Sequence, residues 1–329
     1  MTSSAKASVG SEVSPGKNMV WIPGGTFAMG SHDFYPEERP VRQVSVDGFW
    51  MDSHQVTVAE FRRFVQATGH VTTAETAPTA QDYPDADPEL LVPGSLVFTP
   101  PDHPVPLDDY LRWWSFVPGA TWRHPEGPGS NVGDRRLHPV THVSYFDALA
   151  YAQWAGKELA TEAEWEFAAR GGLEGKAYVW GDEHSPGHKP LANVWQGRFP
   201  WENLLEDGYA GTSPVGSFRP NGYGLSDMAG NVWEWTTDYY AADRGATDAY
   251  SKPSCCVPSN PRVTTPRAVS ETEPYPRRVI KGGSHLCAPN YCLRYRPAAR
   301  QGESEETSTC HIGFRCVIRP DPASSRPPG

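Results

Sequence analysis

Glycine and proline punctuate this chain too densely for long helices or wide sheets. Its 329 residues include 31 Gly and 33 Pro, well above the ordinary usage of either. Proline fixes φ and removes a backbone donor, while glycine admits conformations that other residues avoid, so both favour turns over ladders. The same chain carries 12 Trp and 14 Tyr. Large rings of this kind pin irregular backbone by covering it with apolar area. The combination predicts long, ordered loops between short elements.

The formal net charge is −10 and the pI is near 5.6. That balance argues against a nucleic-acid partner, because such proteins carry a basic face or stripe, and no Lys/Arg run appears. The N-terminal stretch MTSSAKASVGSEVSPGKNMV has no apolar segment able to serve as a signal-peptide core or a membrane span. A soluble, cytoplasmic protein is expected. Thiols in that compartment are mostly kept reduced, so the six cysteines are read as metal-binding or catalytic rather than as a disulfide framework. Residues 1–18 and 320–329 lack the apolar content to offset ordering entropy and are expected to be disordered tails. With no repeat or linker between them, residues 19–319 are expected to form a single domain.

Residues 19–30 (MVWIPGGTFAMG) read as strand, Gly-Gly turn, strand, and residues 41–51 (VRQVSVDGFWM) as a second strand pair. Thr57 with Glu60, Ser144 with Asp147 and Thr161 with Glu164 each fit the capping box that opens a helix. Helices are therefore expected over 58–68, 145–156 and 162–170. Apolar spacing agrees, as in Phe61, Phe64 and Val65, or Ala148, Tyr151, Ala152 and Ala155. Beyond residue 172 periodicity fades into loops, with Trp195, Trp201, Trp233 and Trp235 as expected pins. The class is α+β with low regular content.

The chemistry concentrates in residues 282–300 (GGSHLCAPNYCLRYRPAAR), where Cys287 and Cys292 sit close together. Three readings are open. The pair can be structural, since free cysteine is among the most buried residue types. It can be half of a zinc site completed by Cys310 and Cys316, although C-x4-C with C-x5-C lies at or beyond the usual spacing. It can also hold a soft monovalent ion, because thiolates select Cu(I). Arg294, Arg296 and Arg300 are expected either to favour the thiolate form or to make ordinary salt bridges.

That run, followed by residues 311–316 (HIGFRC), closely resembles the C-terminal core of the formylglycine-generating enzymes, the sulfatase-modifying factor family. Residues 21–30 (WIPGGTFAMG), 138–144 (HPVTHVS), 154–166 (WAGKELATEAEWE), 221–225 (NGYGL) and 230–235 (GNVWEW) extend the resemblance in family order over roughly residues 19–318. It implies a compact α+β domain of that type, distantly like C-type lectin folds. It further implies Cu(I) held by Cys287 and Cys292, a substrate cysteine joining as a third sulfur, and oxidation of that side chain by O2 to Cα-formylglycine. The implied partner is a sulfatase chain carrying Cys-x-Pro-x-Arg, read in extended form, with a thiol reductant supplying electrons. No membrane partner is implied, and the chain is expected to act as a monomer. Oxygen activation needs a redox metal or organic cofactor, which is consistent with copper.

Ser284 resembles the family's active-site serine and equally fits a turn residue after two glycines. Structural calcium is implied at two loops, one using Asn193, Val194, Asp207 and Tyr209, the other Asp227, Gly230, Val232 and Glu234. Ca2+ takes hard oxygen ligands of this kind, although capped turns without an ion are the alternative. Asp227 stands where the family has Asn. His311 likewise replaces a family Asn, and residues 301–310 (QGESEETSTC) depart from the usual loop. Tyr291 is read as packing. His138 and His142 are read as a buried, hydrogen-bonded pair rather than as iron ligands, because Ser144 occupies the position of the acidic ligand. Cys316 is expected to remain free. Trp113, Trp114 and Trp122 either line a peptide groove or belong to the core, and Cys255-Cys256 has no assigned role. Two other readings remain open: a non-catalytic, calcium-braced peptide or glycan module, and an iron-dependent sulfoxide synthase-like enzyme.

Overall fold

The computed structural model describes residue 16 and residues 18–81, 87–244, 249–250, 256–266 and 275–320. Most of both expected tails and Cys255 lie outside these residues. In chain order the regular elements are β1 (Met19–Ile22), β2 (Gly25–Met29), β3 (Arg42–Val46), β4 (Phe49–Asp52), α1 (Val58–Thr68), β5 (Gly94–Phe98) and β6 (Trp114–Pro118). They continue with α2 (Tyr145–Trp154), β7 (Glu158–Leu159), α3 (Glu162–Arg170), β8 (Trp233–Tyr239), β9 (Arg277–Lys281), β10 (Gln301–Ser304), β11 (Ile312–Gly313) and β12 (Cys316–Ile318). Between α3 and β8 the chain runs mainly through turns. This is the loop-rich α+β domain that the composition predicts.

All three helices start at their capping boxes. Thr57, Ser144 and Thr161 each accept the N–H three residues on, and Glu60, Asp147 and Glu164 reach back to the cap N–H. Glycines in the left-handed region stop α1 at Gly69 and α3 at Gly171. Helix α2 ends at Trp154, two residues short of expectation. There Ala155 N–H bonds Tyr151 O, Lys157 N–H returns to Ala152 O, and Gly156 takes φ +68°.

The first four strands form where expected but pair differently. β1 pairs antiparallel with β4, and β2 with β3, so neither β1 with β2 nor β3 with β4 makes a hairpin. The reason lies at the bends. Gly24 has φ +70°, and a Cβ there would lie 2.7 Å from the main chain of Asp47 and Gly48. The two turns pack against each other, which forces the strands leaving them into separate sheets. One sheet has the order β1-β4-β12-β7 and another β10-β9-β8-β11, in which only β11–β8 is parallel. Aromatics fill the space between: Phe61 meets Trp122, Tyr151 and Phe314 at centroid distances of 5.3, 6.0 and 6.4 Å. Trp195, Trp233 and Trp235 are buried as expected, whereas Trp201 is half-exposed. Trp113 and Trp122 are core residues, and Trp114 is half-buried.

A buried charge network joins α3 to the second sheet. Glu162 accepts from Arg244 Nη2 (3.0 Å) and from Arg300 Nε and Nη2 (2.8 and 3.0 Å). Glu166 accepts from Arg170 (2.7 Å) and lies 3.3 Å from Lys281 Nζ. Burial alone would raise the Glu162 carboxyl, but Arg244, Arg300 and Lys281 outweigh it and hold the group at about 2. Asp238 accepts the Glu162 and Val263 N–H groups. Burial, with Glu162 nearby, pushes it up to about 6.

Removing one member of a buried ion pair strands the others. Glu162→Gln is expected to lower unfolding free energy by about 3–5 kcal/mol, read from urea titration. The raised Asp238 contributes stability that is present below its ordinary pKa and lost as pH rises through about 6. The stability advantage of the wild type over Asp238→Asn should therefore shrink between pH 4 and pH 6.5 in denaturation series.

Candidate active site

The cysteine loop leaves β9 through two glycines, Gly282 at φ +94° and Gly283 at φ +67°. A Cβ on Gly283 would lie 2.8 Å from Tyr295 N, so the outgoing and returning strands of the loop touch there. Inside the loop, Cys287 N–H bonds Ser284 O (3.0 Å), while Ala288 O accepts from Tyr291 N–H (3.1 Å) and Cys292 N–H (2.8 Å). This tight turn folds Cys292 back over Cys287. The two Sγ atoms face each other at 3.1 Å, far longer than a disulfide, and both are free thiols.

The two sulfurs differ. Cys287 is 2% exposed, and burial first, then the neighbouring sulfur, pushes its thiol well up. Cys292 is half-buried. The hydrogen bond from Cys287 and the guanidinium of Arg294, 4.0 Å away, outweigh burial and bring its thiol down. Arg294 is itself held by Glu37 (2.7 Å) and lies 3.9 Å over the Tyr35 ring. Of the three arginines considered from sequence, only this one reaches a thiol. Arg296 is locked on Glu38 through both carboxylate oxygens, and Arg300 on Glu162.

The pair lines a cavity of about 770 Å3 whose walls include Tyr110, Trp114, Phe199, Tyr291, the whole of β10 and His311. Tyr291 stacks on Phe199 at 4.6 Å. Ser284 also lines the cavity; its Oγ accepts Leu286 N–H (3.2 Å) and its N–H points at Cys287 Sγ (3.4 Å). The His311 ring sits 4.9 Å from Trp114, and burial lowers its pKa to about 3. A smaller cavity of about 340 Å3, beside Pro289 and Asn290, has no thiol in its wall. Sequence reasoning missed Glu303, the one acidic side chain among the described residues lining the larger cavity. Burial raises it, against hydrogen bonds from Thr307 and Ser304 N–H. Its only sequence signal was the unusual 301–310 loop.

Two soft sulfur donors facing each other at a cavity wall fit Cu(I). The four-cysteine zinc site read from the sequence needs its sulfurs gathered, but Cys310 accepts Phe98 N–H (3.4 Å) and Cys316 sits in β12 beside Asp52. Among the described residues no group of three or more His, Cys, Asp and Glu gathers to hold a metal. His138 and His142 bond separate partners, Thr212 (2.9 Å) and Ser95 (2.8 Å), and burial lowers the pKa of both, that of His142 to about 3.

The calcium loops differ from each other. In the first, Val194 O and Asp207 Oδ2 converge on a single donor, Gln196 Nε2. Burial raises Asp207, whose partners are amides rather than a cation, and Tyr209 N–H bonds its other oxygen (2.9 Å). Asn193 lies beside them, its Nδ2 on Gly211 O (2.9 Å). Val194 O and Asp207 Oδ2 are hard oxygens of the type Ca2+ takes, two of the roughly six to eight it needs. In the second, Glu234 spends both oxygens on Arg315 Nε and Nη2, Trp165 Nε1 and Gln55 Nε2. Four donors fill the lone-pair directions of one carboxylate. Asp227, at φ +56°, accepts Gly216 N–H, Gly230 packs on Asn193 O, and Val232 is buried. As placed, this second set does not fit an ion.

Comparison with known proteins shows the family. The model of the sulfatase-modifying factor enzyme 1-like domain matches residues 5–320. A formylglycine-generating enzyme of Mycobacterium tuberculosis is 52% identical over 303 residues, covering 92% of this chain and 98% of that one. The enzyme of the same name from Thermomonospora curvata is 47% identical, covering 92% and 94%. The solved structure of PvdO from Pseudomonas aeruginosa superposes with a TM-score of 0.60 at 24% identity, covering 91% and 93%, and so shares the fold. With a family model spanning nearly its whole length and relatives at this identity, the chain belongs to the sulfatase-modifying factor enzyme 1-like family, whose named members include the formylglycine-generating enzymes.

Proposed function

We propose that this chain oxidises the cysteine of a Cys-x-Pro-x-Arg segment in sulfatases to Cα-formylglycine, with Cu(I) bound by Cys287 and Cys292. The observation that carries this reading is the pair of free thiols, 3.1 Å apart, on the wall of a cavity large enough for a peptide. A thiol pair serving only to pack would have no need of that opening. Conversion of the thiol-bearing methylene to an aldehyde releases hydrogen sulfide and takes two electrons from the β-carbon. O2 accepts four, so a thiol reductant supplies the other two and water is the second product. The metal would supply the oxygen chemistry that side chains lack.

The chain's own groups prepare the site. Arg294 faces the Cys292 sulfur and favours its anionic, metal-binding form. Ser284 fixes the turn through Leu286 N–H and points its own N–H at Cys287. Trp114, Phe199 and Tyr291 give the cavity apolar walls against which an extended chain can lie. Calcium at Val194 and Asp207, with Asn193 and Tyr209 alongside, would brace a loop that touches the cysteine turn, since Trp195 N–H bonds Cys287 O (3.0 Å). A cytoplasmic setting is consistent with the free thiols of Cys287, Cys292, Cys310 and Cys316. Among the described residues no helix is long and apolar enough to cross a membrane.

Cys287→Ser and Cys292→Ser are each expected to lose aldehyde formation on a Cys-x-Pro-x-Arg peptide by about 100-fold or more, since losing mere outer partners of a metal already costs 10–100-fold. Peptide mass after incubation with copper, O2 and reductant reads this. The wild type should bind about one Cu(I) in preference to zinc, and each variant should lose that binding. Undiminished turnover in either variant would reject the assignment. For calcium, a chelator should lower the Tm of the wild type, because an ion bound only by the folded state stabilises it, and should leave Asp207→Ala unchanged.

A further inference from the structure

One strand edge opens directly into the thiol cavity. β10 is the outer strand of its sheet, and Gln301, Gly302, Glu303 and Ser304 all line the cavity of Cys287 and Cys292. Which main-chain groups face outward follows from β9. Arg277 C=O accepts Tyr240 N–H (2.8 Å), so Arg277 turns its main chain away from β10. Arg277 stands opposite Ser304, and Val279 opposite Gly302. Residues in an antiparallel pair alternate between bonded and non-bonded positions. Since Arg277–Ser304 is non-bonded, Val279–Gly302 is too, and Gln301 and Glu303 make the bonds to β9. Val279 C=O agrees by accepting Thr236 Oγ1 (2.7 Å) from the β8 side.

Ser304 and Gly302 therefore present their N–H and C=O at the sheet edge. Ser304 is satisfied within its own turn: its N–H bonds Glu303 Oε1 (3.2 Å) and its C=O accepts Thr307 N–H (3.0 Å). Neither main-chain group of Gly302 has a hydrogen-bond partner among the described residues. The Tyr240 ring packs so closely that a Cβ at 302 would lie 2.5 Å from it, so glycine keeps this edge flat.

We propose that the substrate segment docks as an added antiparallel strand on β10, one of its residues exchanging main-chain hydrogen bonds with Gly302. The inference rests on the oxidation reading for the identity of the occupant. An edge of this kind gives affinity through main-chain bonds and specificity through alternate side chains. The Cys-x-Pro-x-Arg pattern has that period: residues two apart share one face of a strand, so Cys, Pro and Arg point together and the variable residues point away. Proline has no N–H, and Cys and Arg share its hydrogen-bonding side. The residue opposite Gly302 is therefore one of the two variable positions.

Two measurements on the wild-type protein test this. Hydrogen exchange of the Gly302 amide, with metal-free protein saturated with peptide, should slow markedly. In turnover, N-methylation of one variable position should raise KM about five- to tenfold, the worth of one hydrogen bond, while N-methylation of Cys or Arg leaves KM unchanged. Unaltered Gly302 exchange under saturating peptide, or sensitivity only at the Cys or Arg amide, would overturn the docking. Failure of the unmethylated peptide to yield aldehyde would instead refute the oxidation chemistry, and the exchange measurement would still report on docking.

Discussion

The arginines that follow the cysteine pair hold the site in place. Arg294, Arg296 and Arg300 come from one short segment and grip Glu37, Glu38 and Glu162, which lie 138 to 258 residues earlier in the chain. Arg296 and Arg300 are 0% and 1% exposed, as fits guanidinium groups with their bonds satisfied by carboxylates. A loop as rich in Gly and Pro as this has little ladder to hold it. Buried, bidentate ion pairs replace the ladder, and the cost of desolvating them is offset only because the geometry is complete. The same grip brings Glu37 against Arg294 and so aims Arg294 at Cys292. Position and reactivity of the thiols thus come from one set of contacts.

Local chemistry was legible in the sequence, and long-range pairing was not. Capping boxes placed all three helix starts because a cap is decided within four residues. The end of α2 was misjudged because apolar spacing continued through Ala155 while Gly156 had already turned the backbone. Strands around Gly24 and Gly48 were visible, but their exchange of partners depends on two bends touching in space, which no pattern encodes. The cysteines were found by spacing and resemblance. Which arginine reaches them was decided by Glu37, Glu38 and Glu162, remote in sequence. Glu303 and the outward Gly302 escaped notice because their meaning comes from the cavity and the sheet edge.

The two carboxylates assigned to calcium show the same limit. Asp207 and Glu234 look alike in sequence, each a carboxylate close to a glycine. Folding surrounds Asp207 with amides and Glu234 with the Arg315 guanidinium. The first carboxylate accepts from neutral amide donors, whereas the second is paired with a cation from within the chain. Ligand type alone cannot separate such cases. The neighbours that compete for the oxygen lone pairs do.

Fold and chemistry are separable in this chain. The turn that apposes the thiols is made mainly by main-chain N–H groups bonding Ser284 O and Ala288 O, with one sulfur contact from Ser284 N–H to Cys287 Sγ. Cys292 is half-exposed to the cavity and contributes little to the core. Serine at either position would leave the turn, the arginine grip and the aromatic walls intact. Cys287 packs in the core, but packing alone gives no reason to set a second, half-exposed thiol against it at a cavity wall. Their joint presence is therefore better explained by what sulfur binds than by how sulfur packs.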